Sequence, residues 1–496
     1  MMKIEYKWLA LSVTTLGSLL SVLDGSIFII ALPTIMDSLQ ADLITIAWVI
    51  MGYLFVVTIL TTVFGRIADM IGRKRLYVTG FVVFTIASLF CGTSQSGQEL
   101  LAFRMMQAVG GALLVANAVA IVTDAFPREQ LGMAMGINSM IFGVGSAIGP
   151  VLGGFLLQFG WRFIFFINIP TGAIGTIWGM IQLKEVEKMP EAQKFDWWGT
   201  IAFAAGMIGI LIVLSFGGLA GWTNPLVMIM MGIGAVGFLA FIVIETRVKF
   251  PMMDFQLFKS SRLAYGYTSV LFNAIARGAL TFLLTFYLQI ILSYDPIKAA
   301  IYLTPFAVTQ TIGAPLSGRL ADKHGSQSFT TIGLLVSSIG LFGLIFITEA
   351  TSSILLILWM SLMGLGSGFF FSPNAKLIMQ EVPPYKRGIA TSVRSMLFNA
   401  GAVVSLGLAL AILSSAISPA ALTALFLGTQ AGSEGVAVQE FLSGIRLVFI
   451  ISFIMTLLAA LVSALKGKPP KWKEIEVTTQ PQSMNTHPTY SEEPGP

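Results

Sequence analysis

The sequence has little of what enzymes use. It holds one cysteine and two histidines among 496 residues, and only 11% of it is charged. A lone Cys91, inside an apolar stretch, rules out a disulfide framework within the chain. With His324 in a polar link and His487 in the tail, zinc clusters and a Ser-His-Asp arrangement have no support, and no Gly-x-x-x-x-Gly-Lys-(Ser/Thr) run offers a phosphate loop. No cofactor, metal site or catalytic residue is therefore expected. A water-soluble domain carries about 25% charged residues; a chain with 55% hydrophobic residues and a mean hydropathy of +0.84 is instead a polytopic membrane protein. Its net charge of +5 comes mostly from the links between apolar runs and calls for no nucleic-acid partner. Without an ATP site, an ion gradient is the energy source left for any work the protein does.

What is abundant is apolar length. Fourteen stretches of about twenty residues, the first at 8–32 and the last at 443–465, read as membrane-spanning helices. The first is too long for a signal-peptide core and leads straight into another span, so it counts as a helix. Lysine and arginine set the orientation. With the N-terminus inside, about 22 of the 29 fall in cytoplasmic segments, among them Arg73, Lys74, Arg75, Lys184, Arg247 and Lys386. A multi-pass cell-membrane protein with both termini in the cytoplasm is expected. The longest outer link, about 414–442, is rich in Gly, Ser and Ala and is expected to be partly ordered. The tail, 466–496, is rich in Pro, Thr, Ser and Glu and is expected to be disordered.

The stretch 65–75, GRIADMIGRKR, lies between two apolar runs and reads as a short polar loop. It recurs at 318–325 as GRLADKHG. Agreement over this many consecutive positions in unlike surroundings points to an internal duplication. The two copies are separated by eight spans rather than six, so two helices, most simply 197–217 and 225–245, interrupt the repeat. An even insertion keeps both copies on one side of the membrane. The expected domains are a six-helix bundle at 1–183, the inserted pair with cytoplasmic linkers at 184–261, a second six-helix bundle at 262–465, and the tail.

Gly65, Asp69, Gly72, Arg73 and Lys74, echoed by Gly318 and Asp322, resemble the loop between helices 2 and 3 of the major facilitator superfamily. An ordinary turn that keeps basic residues in the cytoplasm accounts for the Arg and Lys, but not for an aspartate between two glycines or its echo. Four other segments carry the same resemblance. The run LDGSIFIIALP at 23–33 resembles the first-helix motif of the fourteen-helix drug:proton antiporters, with Asp24 as the acid, although Ser26 and Ile29 depart from it. Arg104, Gln107 and Gly110 resemble the helix 4 motif R-x-x-Q-G-x-G, with Ala108 in place of its first glycine. Gly145, Gly149, Pro150, Gly153 and Gly154 resemble the antiporter motif of helix 5, where small residues let helices approach closely. Residues 161–170 resemble the segment leading into helix 6, with Trp161 expected as an interfacial anchor.

Asp24 is a carboxylate at membrane depth, about 13 Å below the exit expected at Pro33. Such a group must face protein, water or a counter-ion, as a structural anchor between helices or as a proton or cation site. Arg104, about 7 Å inside its span, either snorkels to the outer interface or is a fixed positive charge for a nearby acid. In the C-terminal half, Arg277 is too central to snorkel and is expected to line water or pair with a polar group, whereas Arg394 is expected to snorkel. Gln107, Arg277, Tyr287, Gln289, Thr309, Gln310, Asn374 and Asn399 are candidates for the wall of a substrate cavity.

The resemblance implies an all-α polytopic membrane protein of the major facilitator fold: two six-helix bundles plus two inserted helices, fourteen transmembrane helices in all, rocking about a midplane cavity. It implies a secondary active transporter, not an enzyme, and specifically a proton-coupled antiporter of the multidrug efflux type that exports lipophilic or toxic small molecules by alternating access. Asp24 and Arg104 would then couple protons, and Asp69 with Arg73 would hold a cytoplasmic gate. The expected partners are a small-molecule substrate, protons and the lipid bilayer, with the protein a monomer. The nearest rival is a dedicated exporter of one metabolite or antibiotic. A membrane-embedded enzyme or receptor would need clustered catalytic side chains or a soluble sensing domain, and neither is visible.

Overall fold

The computed structural model describes residues 5–126, 131–185, 196–248, 251, 253, 255–382, 387–417 and 434–465. Among these there is no strand. The helices are α1 (Tyr6–Ser38), α2 (Leu43–Ile71), α3 (Arg73–Thr93), α4 (Gly97–Ala125), α5 (Leu131–Leu157), α6 (Phe163–Phe166), α7 (Asn168–Gln182), α8 (Trp197–Ala220), α9 (Pro225–Arg247), α10 (Ser261–Arg277), α11 (Leu280–Phe286) with a π turn at Tyr287–Ile291, α12 (Pro296–His324), α13 (Ser326–Leu344), α14 (Ser353–Gln380), α15 (Arg387–Ala416) and α16 (Glu434–Ala464). Because α6 joins α7 in one span and α10 joins α11 and the π turn in another, these make fourteen helical segments, of which twelve are long and apolar enough to cross a membrane among the described residues. In lipid every backbone polar group must be satisfied within the segment, which is why such apolar runs can only be helical.

Helix ends differ from the hydropathy reading in instructive ways. The stretch at 65–71 is not a loop but the last two turns of α2; the turn is Gly72 alone, at φ 121°, and Arg73 already opens α3. Gly325, at φ 91°, does the same between α12 and α13. Glycine reaches this half of backbone space without a Cβ penalty. The helix also runs on through Pro33 to Ser38, so Asp24 is near the middle of α1 rather than in its outer part. A missing N–H is tolerated when neighbouring helices surround the break. The long outer link is shorter than expected, with α15 reaching Ala416 and α16 beginning at Glu434; residues 418–433 and the tail lie outside the described residues.

The two halves repeat one packing scheme. In the first, α3 and α2 each pack on α4, and α1 packs on α5; in the second, α13 and α12 each pack on α14, and α10 packs on α15. The register agrees residue by residue. Asp42 caps α2 by accepting from Thr45 N, and Asp295 caps α12 by accepting from Lys298 N, each at 2.7 Å. Both helices have 29 residues and end at the positive-φ glycines. Gly80 on α3 lies against the Gly110 carbonyl on α4, as Gly333 on α13 lies against that of Gly366 on α14. The helices α8 and α9 stand outside this scheme: α9 packs on α8, and α8 on α15 with a lesser contact to α2.

The halves meet along α5–α12 and α2–α15, the same pairing with the roles exchanged. Residues 145, 149 and 153 of α5 contact 22, 26 and 30 of α1 in order, so these helices run parallel. In contrast, Gly143 meets Thr311 and Gly154 meets Ile297, so α12 runs against α5. Since α2 turns back from α1 through a short link, α2 and α12 run the same way, and Asp69 and Asp322 stand at the same end of the molecule. Their side chains lie outside the described residues.

Candidate functional site

The first half closes around one carboxylate. Arg104 Nη1 on α4 donates to Asp24 Oδ2 at 2.6 Å. Gln107 Nε2, one turn further along α4, donates to Asp24 Oδ1 at 3.0 Å and to Ser88 Oγ on α3 at 2.7 Å. Asn168 Nδ2 on α7 also donates to Asp24 Oδ1, at 2.7 Å. Gln107 Oε1 in turn accepts from Arg104 Nη1. The guanidinium lies between aromatic faces, 4.2 Å from the Phe28 centroid and 4.6 Å from that of Tyr53. Asp24 and Arg104 are each 2% exposed. Four helices are thus tied by a cluster sealed from solvent. Removing one member of a buried pair strands the other charge, at a cost of about 3–5 kcal/mol.

This arrangement settles where Arg104 and Trp161 face. Arg104 does not snorkel outward but faces inward onto Asp24. Trp161 is no interfacial anchor: it is buried, against Phe165, with the Arg162 guanidinium 4.4 Å from its ring. Asn168, visible in sequence only as part of a motif, and Ser88, not singled out at all, complete the cluster. A lone asparagine two residues before a proline within an apolar run is the one signal that marked the first of them.

The second half places a different group in the same position. Arg277 stands on α10 where Asp24 stands on α1: both precede a glycine, and both lie the same number of residues before the capping aspartates Asp295 and Asp42. Its guanidinium rests 4.8 Å from the centroid of Phe306, the register equivalent of Tyr53, and 5.2 Å from that of Phe371. The helix breaks just after it. Gly278 packs against the backbone of Ala402 on α15, and Ala279 N donates to Ser405 Oγ at 3.0 Å. Arg394 turns inward rather than snorkelling, with Nε 3.4 Å from Asn374 Oδ1 and its guanidinium 5.6 Å from Phe371.

The remaining candidates divide. Asn374 joins this second cluster, donating to Gly266 O at 3.2 Å. Asn399 is half-buried on α15. Thr309 instead bonds the Ser361 carbonyl, at 2.9 Å, and so ties α12 to α14. Tyr287 is fully buried and donates to Thr348 O at 2.7 Å, which makes it a structural tie at one end rather than a cavity wall. Gln289, presented by the π turn, crosses between the halves to the Ile30 carbonyl at 2.8 Å. On α5, Gly145, Gly149 and Gly153 face α1, whereas Gly154 meets the first turn of α12 and Pro150 continues the helix between them. At the other end, Arg73 donates to Asp124 Oδ2, and Lys74 N to Glu185 Oε1 at 3.2 Å; neither acid was marked by the sequence.

Comparison with known proteins agrees with this architecture. The profile described as Major Facilitator Superfamily matches residues 14–406 and 266–487. The riboflavin transporter RibZ of Clostridioides difficile is 34% identical over 397 residues, covering 80% of this chain and 86% of the transporter. Multidrug resistance protein 3 of Bacillus subtilis is 30% identical over 394 residues, covering 78% and 75%. Among solved structures, a bacterial homologue of the human lysosomal transporter Spinster, in an inward-facing and unoccupied conformation, superposes with a TM-score of 0.65 over 93% of this chain and 97% of that one. At 17% identity that likeness is one of fold.

Proposed function

This chain belongs to the Major Facilitator Superfamily, and from that premise we propose that it exports lipophilic, often toxic small molecules across the cell membrane in exchange for protons. It is a multi-pass membrane transporter and not an enzyme. In the proposed reading it works as a monomer with both termini in the cytoplasm, by rocking of the two bundles along α5–α12 and α2–α15. The single observation that carries proton coupling is the buried ion pair of Asp24 and Arg104.

An antiporter needs a site that is charged in one conformation and neutral in the other. Asp24 Oδ2 is the atom that takes the proton. The proton arrives when Arg104 withdraws and leaves when Arg104 returns, so the carboxylate is never protonated and paired at once. The withdrawn guanidinium keeps Gln107 Oε1 and the faces of Phe28 and Tyr53 as partners. Substrate and proton then compete by favouring opposite conformations. Everted membrane vesicles test this: an imposed pH gradient should drive uptake of a fluorescent lipophilic compound, and adding the compound should release protons. Uptake that is indifferent to the gradient sinks proton coupling.

A dedicated carrier of one metabolite is the second reading, favoured by the 34% identity to a protein named as a riboflavin transporter. A resistance screen in a pump-deficient host separates the two, since a multidrug exporter protects against several unrelated compounds and a dedicated carrier against none or one.

A further inference from the structure

The charge at the centre of the two halves is unequal. In the first, a guanidinium and a carboxylate cancel. In the second, Arg277 and Arg394 both lie by Phe371, and neither takes part in an ion pair among the described residues. The surplus extends to hydrogen bonding. Arg277 Nη1 is withdrawn from solvent with no acceptor, and so is Asn273 Nδ2, one turn earlier on α10, where residues four apart share a face. Asn273 itself is 1% exposed. Arg394 has only two long bonds of 3.4 Å, to Asn374 Oδ1 and Phe371 O. A membrane-embedded cation without a partner is expensive, and buried donors without acceptors add to that cost. The missing component is rich in acceptors and negatively charged.

We propose that Asn273, Arg277 and Arg394 bind the anionic group, a carboxylate or phosphate, of a transport substrate. Guanidinium groups match the planar, bidentate geometry of these anions and stack on aromatic faces as well. The inference rests on the transporter reading above and names the substrate class for it. It also divides the work between the halves: the first handles the proton, the second the anion.

The test uses the purified full chain in detergent, titrated with 2-naphthoate, neutral 2-naphthamide and 2-naphthylmethylammonium, with tryptophan fluorescence as the readout. Naphthoate should bind about tenfold or more tighter than the amide, the range expected for a charge-assisted bond. Arg277→Gln should erase that preference, and a cooperative thermal melt in detergent reports that the variant is folded. If Arg277→Gln loses all binding, Arg277→Lys decides: it keeps the charge and should retain the preference. No binding of naphthoate to the unaltered chain, equal binding of all three probes, or a preference that survives Arg277→Gln overturns the proposal. Proteoliposomes separate it from the function on which it rests. Transport of the amide and the ammonium with no advantage to naphthoate overturns the anion site and leaves the exporter standing. Naphthoate binding that depends on Arg277 without any transport does the reverse.

Discussion

Gln289 and Ile30 join the two halves by a single hydrogen bond. The side-chain Nε2 of one donates to the main-chain carbonyl of the other at 2.8 Å, between residues 259 positions apart. The π turn at Tyr287–Ile291 sets this up by rotating the residues that follow α11 relative to an unbroken helix. Gly154 against Ile297 closes the same end. Gln289→Ala should therefore loosen that end. Loss of about 1 kcal/mol corresponds to about a fivefold rise in the open population. The measure is the labelling rate of a cysteine placed at Tyr294, against the low background of the buried Cys91. An unchanged rate would remove Gln289 from the gate.

Asp24→Asn should lose transport driven by a pH gradient while still binding substrate. It cannot change charge, and it leaves Arg104 facing an amide, so purified protein should also lose about 3–5 kcal/mol of stability. Vesicle uptake with and without an imposed gradient reads the first effect and thermal melting the second. Full gradient-driven uptake by this variant would make Asp24 a structural anchor and move proton coupling elsewhere.

Asn168→Ala should destabilise by about 1–3 kcal/mol, because it removes the 2.7 Å donor from Asp24 Oδ1 inside a sealed site. Asn168→Asp should cost more, since it sets a second carboxylate against the first. Melting curves in detergent order the two. If Asn168→Asp were as stable as the unaltered chain, the cluster would not be sealed as described.

Two glycine-to-alanine changes should part company. A Cβ at Gly154 would lie 2.9 Å from Ile297 Cα and 3.0 Å from Pro296 O, backbone atoms that cannot step aside, whereas one at Gly25 meets nothing within 4 Å. Gly154→Ala should impair transport by wedging α5 from α12. Gly25→Ala should leave transport intact and add up to about 1 kcal/mol of stability, since alanine is the better helix former. Equal activity of both in vesicles would show that the halves do not need this contact.

Much of the fold was legible because lipid imposes a simple rule: apolar runs of the right length must be helices. The fourteen helical segments, the inserted pair at α8 and α9, and the duplication marked by Asp69 and Asp322 all follow from length, composition and repetition. What hydropathy misplaced were ends. Polar residues at 65–71 looked like a loop, yet a helix keeps its bonds past the lipid boundary until a residue such as Gly72 breaks it. Pro33 looked like an exit and was not, because a transmembrane helix tolerates a missing donor when neighbours pack around it.

By itself, the sequence determined a duplicated helical membrane protein with an acid at Asp24 and arginines at 104, 277 and 394. Which of those charges are paired was decided by tertiary structure alone. Asp24 finds Arg104 80 residues away and Asn168 144 residues away, and each meeting depends on how a helix is turned about its own axis. Helices that are apolar on nearly every side do not encode that rotation in their pattern; close packing at glycines such as Gly110, Gly149 and Gly366 sets it. The same packing, repeated in the second half, leaves Arg277 in the acid's position with no acid paired to it among the described residues.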